Sequence, residues 1–203
     1  MKITRLIASE KGNNDILVFV DGEYFVTLNL EVVFKLGLNV DKELDIETLD
    51  AIKLEQDFLS CYHKALAIVS KMSKTKKQLK DYLLQKGFHY TVINQCIEKL
   101  EKVNLINDDL YCKKYIEQEK NKKGKMIIYK SLLTKGIEKE IIEQNISIIH
   151  SQKETVAYFA KKFMKNKTYD YNTIQKLKRH LLSKGFSFEE INAVVGEDNE
   201  SWD

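Results

Sequence analysis

No proline occurs among the 203 residues. Proline-kinked helices and proline-rich linkers are therefore excluded, and the chain suits regular helices joined by glycine and polar turns. Arginine is nearly as scarce: only Arg5 and Arg179 stand among the 33 Lys+Arg residues. Guanine edges are read mainly by arginine, so sequence-specific DNA recognition is disfavoured. The cysteines, Cys61, Cys96 and Cys112, are odd in number and form no CxxC. Reduced thiols in a cytoplasmic protein are expected rather than a disulfide framework or a zinc site. No apolar run approaches the roughly 18 residues of a membrane span. Lys2, Arg5, Glu10 and Lys11 interrupt every apolar stretch near the start, so a secretory leader is not expected.

Signs of chemistry are also missing. His63, His89, His150 and His180 are scattered, and none sits at metal-ligand spacing with a cysteine or another histidine. There is no GxxxxGK[ST] phosphate loop, no GxGxxG and no GxSxG elbow. Lys123-Gly124-Lys125 is only a glycine between lysines. The pair Asp108-Asp109 fits a helix start better than a metal site, because carboxylates favour a helix N-terminus. A non-enzymatic protein without metal or cofactor is expected.

What the sequence does contain is a hexamer stated three times: Leu83-Leu84-Gln85-Lys86-Gly87-Phe88, Leu132-Leu133-Thr134-Lys135-Gly136-Ile137 and Leu181-Leu182-Ser183-Lys184-Gly185-Phe186. Each copy lies about 49 positions after the last, a period of the size that marks repeat architectures. Leu79, Ile128 and Leu177 keep the register, as do Ile93, Ile142 and Ile191, then Ile97, Ile146 and Val195. Glycine is the usual residue just past a helix end, and the hydrophobic residues flanking it meet in a Schellman cap. Each hexamer therefore closes a helix, with the preceding lysine at the negative end of the dipole.

Around this period the chain reads as mainly α, with a small N-terminal antiparallel β meander. Strands are expected at 2–7, 16–20 and 24–28, with a turn at 11–15 and a tight Asp21-Gly22 hairpin. Short helices follow near 31–36 and 45–53. Nine further helices are expected near 55–71, 76–86, 91–103, 108–121, 124–135, 139–149, 152–166, 171–184 and 188–195. Ser187 and Glu190 form a capping-box pattern before the last. The expected divisions are a cap at 1–54, three-helix repeats at 55–105, 106–150 and 151–196, and an acidic tail at 197–203. Stacked repeats of this kind would make an elongated, curved body.

Charge is unevenly distributed. Residues 1–57 hold 6 basic against 12 acidic side chains, residues 58–196 hold 27 against 14, and the tail adds four carboxylates. A basic body suggests a polyanionic partner or one built around a polyanion. Three lysine clusters supply candidate contacts: Lys74, Lys76, Lys77 and Lys80; then Lys122, Lys123 and Lys125; then Lys176, Lys178 and Arg179. Repeat symmetry would align them as a stripe able to follow a phosphate backbone or an acidic groove. Each cluster taken alone reads more often as a solvated helix face, and the three in register read equally as a binding stripe.

Three helical units, each carrying L-x-x-[KR]-G-[FI] at the end of its second helix, resemble the RecX family of recombinase regulators. Leu105-Ile106-Asn107-Asp108-Asp109-Leu110-Tyr111 resembles that family's Asp-Asp junction. Gly124, Ile128 and Leu132 resemble its G-x-x-x-I-x-x-x-L helix. Lys74-Thr75-Lys76-Lys77-Gln78-Leu79 resembles its R-[ST]-x-x-E-L signature, with Lys for Arg and Gln for Glu. The resemblance implies a cytoplasmic, monomeric, non-enzymatic modulator of RecA. Such a protein would lie in the groove of the RecA–single-stranded-DNA filament and inhibit its ATPase, strand-exchange and coprotease activities, with weak direct DNA contact. On that reading Asp108 and Asp109 set unit orientation, with an interface role open. A sequence-independent DNA-binding helical repeat protein is the alternative, and a scaffold without a nucleic-acid role a third.

Overall fold

The computed structural model describes residues 1–10 and 14–196. The expected turn at 11–15 in large part, and the acidic tail at 197–203, lie outside the described residues. Within them are a three-stranded sheet and ten helices.

Strands β1 (Ile3–Ala8), β2 (Asp15–Val20) and β3 (Glu23–Asn29) pair antiparallel in the order β1-β2-β3. Val20 faces Glu23 across a two-residue turn in which Asp21 and Gly22 have φ of 50° and 93°. Two positive φ values in succession are the type I′ geometry that Asp-Gly favours. Helix α1 (Leu30–Lys35) is capped by the Asn29 side chain and gives Val32 and Val33 to the sheet's core.

The stretch expected as two helices, near 45–53 and 55–71, is one helix, α2 (Ile46–Val69). Lys53-Leu54-Glu55 contains no breaker, and Ile52 and Leu59, two turns apart on one face, share one core with Ile3, Val18 and Leu28. The Asp45 carboxylate accepts from the Thr48 N–H at 2.7 Å and starts the helix.

The remaining helices are α3 (Lys76–Gln85), α4 (Tyr90–Lys102), α5 (Asp108–Glu119), α6 (Lys125–Thr134), α7 (Lys139–Ile146), α8 (Lys153–Met164), α9 (Tyr171–Ser183) and α10 (Phe188–Val195). The chain forms two compact bodies. Of the described residues, one comprises 1–10, 14–72 and 79–105, the other 73–78 and 106–196. In the first, α2 packs on α4 around Cys61, Ala65, Ile93, Cys96 and Leu100. In the second, α5 packs on α7 and α8 on α10, over cores centred on Ile128, Leu132 and Ile142 and on Leu177, Leu181 and Ile191.

The three hexamers form the expected caps. The Phe88, Ile137 and Phe186 N–H groups donate to the carbonyls of Leu83, Leu132 and Leu181 at 3.3, 3.2 and 3.4 Å. Gly87, Gly136 and Gly185 donate to Leu84, Leu133 and Leu182 at 2.9 Å each, with φ of 85°, 84° and 87°. These paired bonds define the Schellman motif. The period appears in burial too: Leu79, Ile128 and Leu177 are at most 1% exposed.

Candidate docking surface at the repeat junctions

Lysine-bearing helix starts in the second body are seated on hexamers further along the chain. Thr75, immediately before α3, is fully buried, and its hydroxyl donates to the Lys135 carbonyl at 2.6 Å. Thr75 and Gln78 also bond reciprocally, Thr75 N–H to Gln78 Oε1 at 3.3 Å and Gln78 N–H to Thr75 Oγ1 at 3.2 Å. That is a capping box, so Gln78 performs the task the signature gives to glutamate. The Lys76 N–H donates to Asp108 Oδ1 at 2.9 Å, and the stem of Lys77 covers Gly136 closely enough that a Cβ there would collide with it.

One period later the seating repeats. Gly124, before α6, donates its N–H to the Lys184 carbonyl at 2.8 Å, and the Met126 N–H donates to Gly185 O at 3.2 Å. A Cβ on Gly124 would run into the Gly185 backbone. Gln152, only 3% exposed, closes the turn before α6. Its amide donates to the carbonyls of Lys120 and Lys123 at 2.6 and 2.9 Å, and its Oε1 accepts from the Lys125 N–H at 2.9 Å.

The expected contact lysines meet different surroundings. Lys74 is half-buried and Lys76 exposed beside the α3 start, near the Lys135–Gly136 cap. The Lys80 ammonium sits 4.3 Å from the Tyr90 ring centroid. Lys122 and Lys123 share the Glu119 carboxylate at 3.4 and 2.7 Å. The Lys123 hydrogen bond holds Glu119 below the usual carboxylate range, and the same bond raises Lys123. Lys125 is half-buried at the start of α6. Lys178 donates to Asn192 Oδ1 at 3.0 Å, and Arg179 Nε donates to the Gln175 carbonyl at 3.3 Å. Lys176 is exposed. The last three lie in the body of α9, whereas the first two clusters straddle helix starts. The structure thus brings Lys76 and Lys77 beside Lys135, and Lys123 and Lys125 beside Lys184, and leaves the third cluster one to two turns away from its helix start.

Asp109 and Asp108 have structural partners. Asp109 Oδ2 pairs with Lys113 at 2.7 Å, and Oδ1 accepts from the buried Asn145 amide at 2.8 Å. The Lys113 bond, then the Asn145 bond, hold its carboxyl below the ordinary value. All three thiols are buried, and Cys96, bonded to Cys61 and desolvated, is pushed far above the ordinary thiol range. Burial lifts Cys112 to about 11. Among the described residues no group of three His, Cys, Asp or Glu side chains is placed to hold a metal, and no helix is long and apolar enough to cross a membrane. Two surface depressions of about 440 and 420 Å³ lie one in each body. In the first, Lys35–Glu55 and Lys102–Glu98 pairs at 2.6 and 2.7 Å offset each other's charge on the walls.

Among the described residues the buried polar side chains are Thr75, Asn145 and Gln152, of which the sequence points only to Thr75, through the signature segment that contains it. Thr75-x-x-Gln78 carries a capping-box signal. The partners of Gln152, and Asp109 as a partner of Asn145, lie 27 to 36 residues away and leave no local trace, although Asn145 also donates to the Ile141 carbonyl four residues back at 2.8 Å.

Comparison with known proteins follows the same repeats. Residues 61–100 match the family model described as "RecX, first three-helix domain", and residues 156–195 the one described as "RecX, third three-helix domain". The "Regulatory protein RecX" of Clostridium perfringens (strain SM101 / Type A) is 34% identical over 200 residues, covering 96% of this chain and 94% of the relative. That of Caldanaerobacter subterraneus subsp. tengcongensis is 33% identical over 196 residues, covering 96% and 98%. The chain belongs to the RecX family. A solved structure titled "Crystal structure of regulatory protein RecX" shares the fold, with a TM-score of 0.81 over 97% of this chain and 98% of its own, at 23% identity. RecX from Lactobacillus salivarius matches at a TM-score of 0.65 and 31% identity, covering 70% of this chain and 96% of its own. The family is one of regulatory proteins, and the residues matched to its first and third three-helix domains each contain one copy of the hexamer.

Proposed function

We propose that this protein binds the RecA–single-stranded-DNA filament and lowers its ATPase, strand-exchange and coprotease activities, thereby regulating recombination and repair. The reading is supported by near-full-length similarity to regulatory RecX proteins. The observation that carries it to a surface is the placement of lysine clusters at the starts of α3 and α6. Lys74, Lys76, Lys77 and Lys80 supply electrostatic contact in the first repeat, Lys125 with Lys122 and Lys123 in the second, and Lys176, Lys178 and Arg179 in the third. The protein acts as a cytoplasmic monomer and without catalysis. Bound across neighbouring protomers, it biases the subunit motions linked to nucleotide turnover.

The test is the ATPase rate of the cognate RecA on single-stranded DNA, titrated with this protein below one copy per recombinase. A fall in rate at such ratios is expected. An unchanged rate at equimolar protein, with filaments intact, rejects inhibition. Tight binding to bare DNA that collapses as salt rises would instead favour the direct DNA-binding reading.

A further inference from the structure

Two of the three hexamer caps are covered, and the third is open. At Lys135–Gly136–Ile137 the cover is Thr75–Lys77, and at Lys184–Gly185–Phe186 it is Gly124–Ile127. Ile137 and Phe186 are each 2% exposed, within the cores of their own repeats. At Lys86–Gly87–Phe88 a Cβ on Gly87 would meet nothing within 4 Å among the described residues. Lys86 and Gly87 are exposed, and Phe88 is only half-buried.

We propose that Lys86–Gly87–Phe88 is a docking face for the start of a partner helix whose capping residue is small, presented by a protomer of the recombinase. The proposal rests on the function proposed above for its partner. The chemistry comes from the two filled junctions. In each, the residue before a helix, Thr75 or Gly124, donates a hydrogen bond to the carbonyl of the lysine that ends another helix. A helix end presents unpaired carbonyls and a partial negative charge, and a helix start presents free N–H groups and the opposite charge. At Gly124 the backbones approach too closely for any Cβ, and at Thr75 a short hydroxyl side chain makes the bond, so a small cap residue fits both junctions.

A second copy of this chain is the less suitable occupant. Counted by the period, α6 starts 49 residues after α3, at Lys125 against Lys76, but α9 starts three residues early, at Tyr171. The equivalent of Thr75 and Gly124 is Thr173, which lies inside the first turn of α9. Asp170 caps that turn by accepting from the Thr173 N–H and hydroxyl at 2.9 Å each. The added turn stands where the seated residue would have to be.

The filled junctions also supply the control. Lys135 and Lys184 are half-buried, whereas Thr134 and Ser183, one residue earlier, stay exposed. A tryptophan at position 86 should therefore block the face, and one at position 85 should not. The assay is inhibition of the recombinase ATPase on single-stranded DNA by full-length protein, with wild type, Lys86→Trp, Lys86→Glu and Gln85→Trp compared after melting curves show equal folding. The expected result is a rise of about tenfold or more in the half-inhibiting concentration for Lys86→Trp, and less than about twofold for Gln85→Trp. Lys86→Glu should not weaken inhibition, because added negative charge favours the positive start of a docked helix; a loss of inhibition on Lys86→Glu would overturn the helix-start occupant. If wild type inhibits and Lys86→Trp matches it, this face is not the docking face, and the filament reading stands. If wild type neither binds nor inhibits, both proposals fall. Concentration-dependent dimerisation abolished by Lys86→Trp would assign the face to a second copy and overturn the partner named here.

Discussion

Gln152 spends its whole side-chain amide on the turn before α6. Truncation leaves two carbonyls and an N–H without protein partners in a buried position. Gln152→Ala should cost about 1–3 kcal/mol, read as a lower urea midpoint. Gln152→Glu should cost more, because a carboxylate offers no donor to either carbonyl and repels both. Asp109 carries a pH signature. Its folded pKa is depressed by Lys113 and Asn145, so its stabilising contribution is present above the ordinary carboxylate value and is lost as pH falls through the folded one. Asp109→Asn should therefore flatten the acid limb of the stability–pH curve while lowering stability near neutrality. Urea midpoints measured from about pH 6 down to 3 check both effects.

At the scale of elements the glycines separate two physical costs. Gly87→Ala meets open space but must hold φ at 85°, and should lose about 1–2 kcal/mol. Gly185→Ala has the same φ cost and drives a methyl into Ile127, so it should lose roughly 1–3 kcal/mol more. Gly124 has an ordinary φ of −71°, so the loss in Gly124→Ala reports the α6–α9 junction alone. Thermal melts of the three variants order them, and equal losses would reject the close-approach account. Much at this scale was legible beforehand. The hexamer caps, the Asp21-Gly22 turn and the Ser187–Glu190 capping box are local, and all three are present. Helix α2 runs unbroken through Lys53-Leu54-Glu55, where two helices are expected, because Ile52 and Leu59 share one core across that point. The role of Gly124 was missed because nothing within a few residues of it reveals that Gly185 lies against it.

For the whole molecule, the balance of charge says less than its pairing. Lys122 and Lys123 share one carboxylate, so reversing them removes less net attraction than reversing Lys77 and Lys80. Lys77→Glu with Lys80→Glu should weaken ATPase inhibition by about tenfold or more, and Lys122→Glu with Lys123→Glu by less. The first-cluster variant should also show a shallower salt dependence of filament binding. Equal effects from both sets would reject the role given to Glu119.

The sequence by itself determined where helices end, which positions are apolar, and that one unit is stated three times, because caps, turns and periodicity act over a few residues and 49-residue identities can be counted. Only the tertiary structure decided which statements of the unit are covered. The Thr75 hydroxyl reaches a carbonyl 60 residues away, and Gly124 meets Gly185 through backbone approach alone. Contacts of that kind depend on how distant segments pack, and no residue near Gly87 records that its own cap is left open.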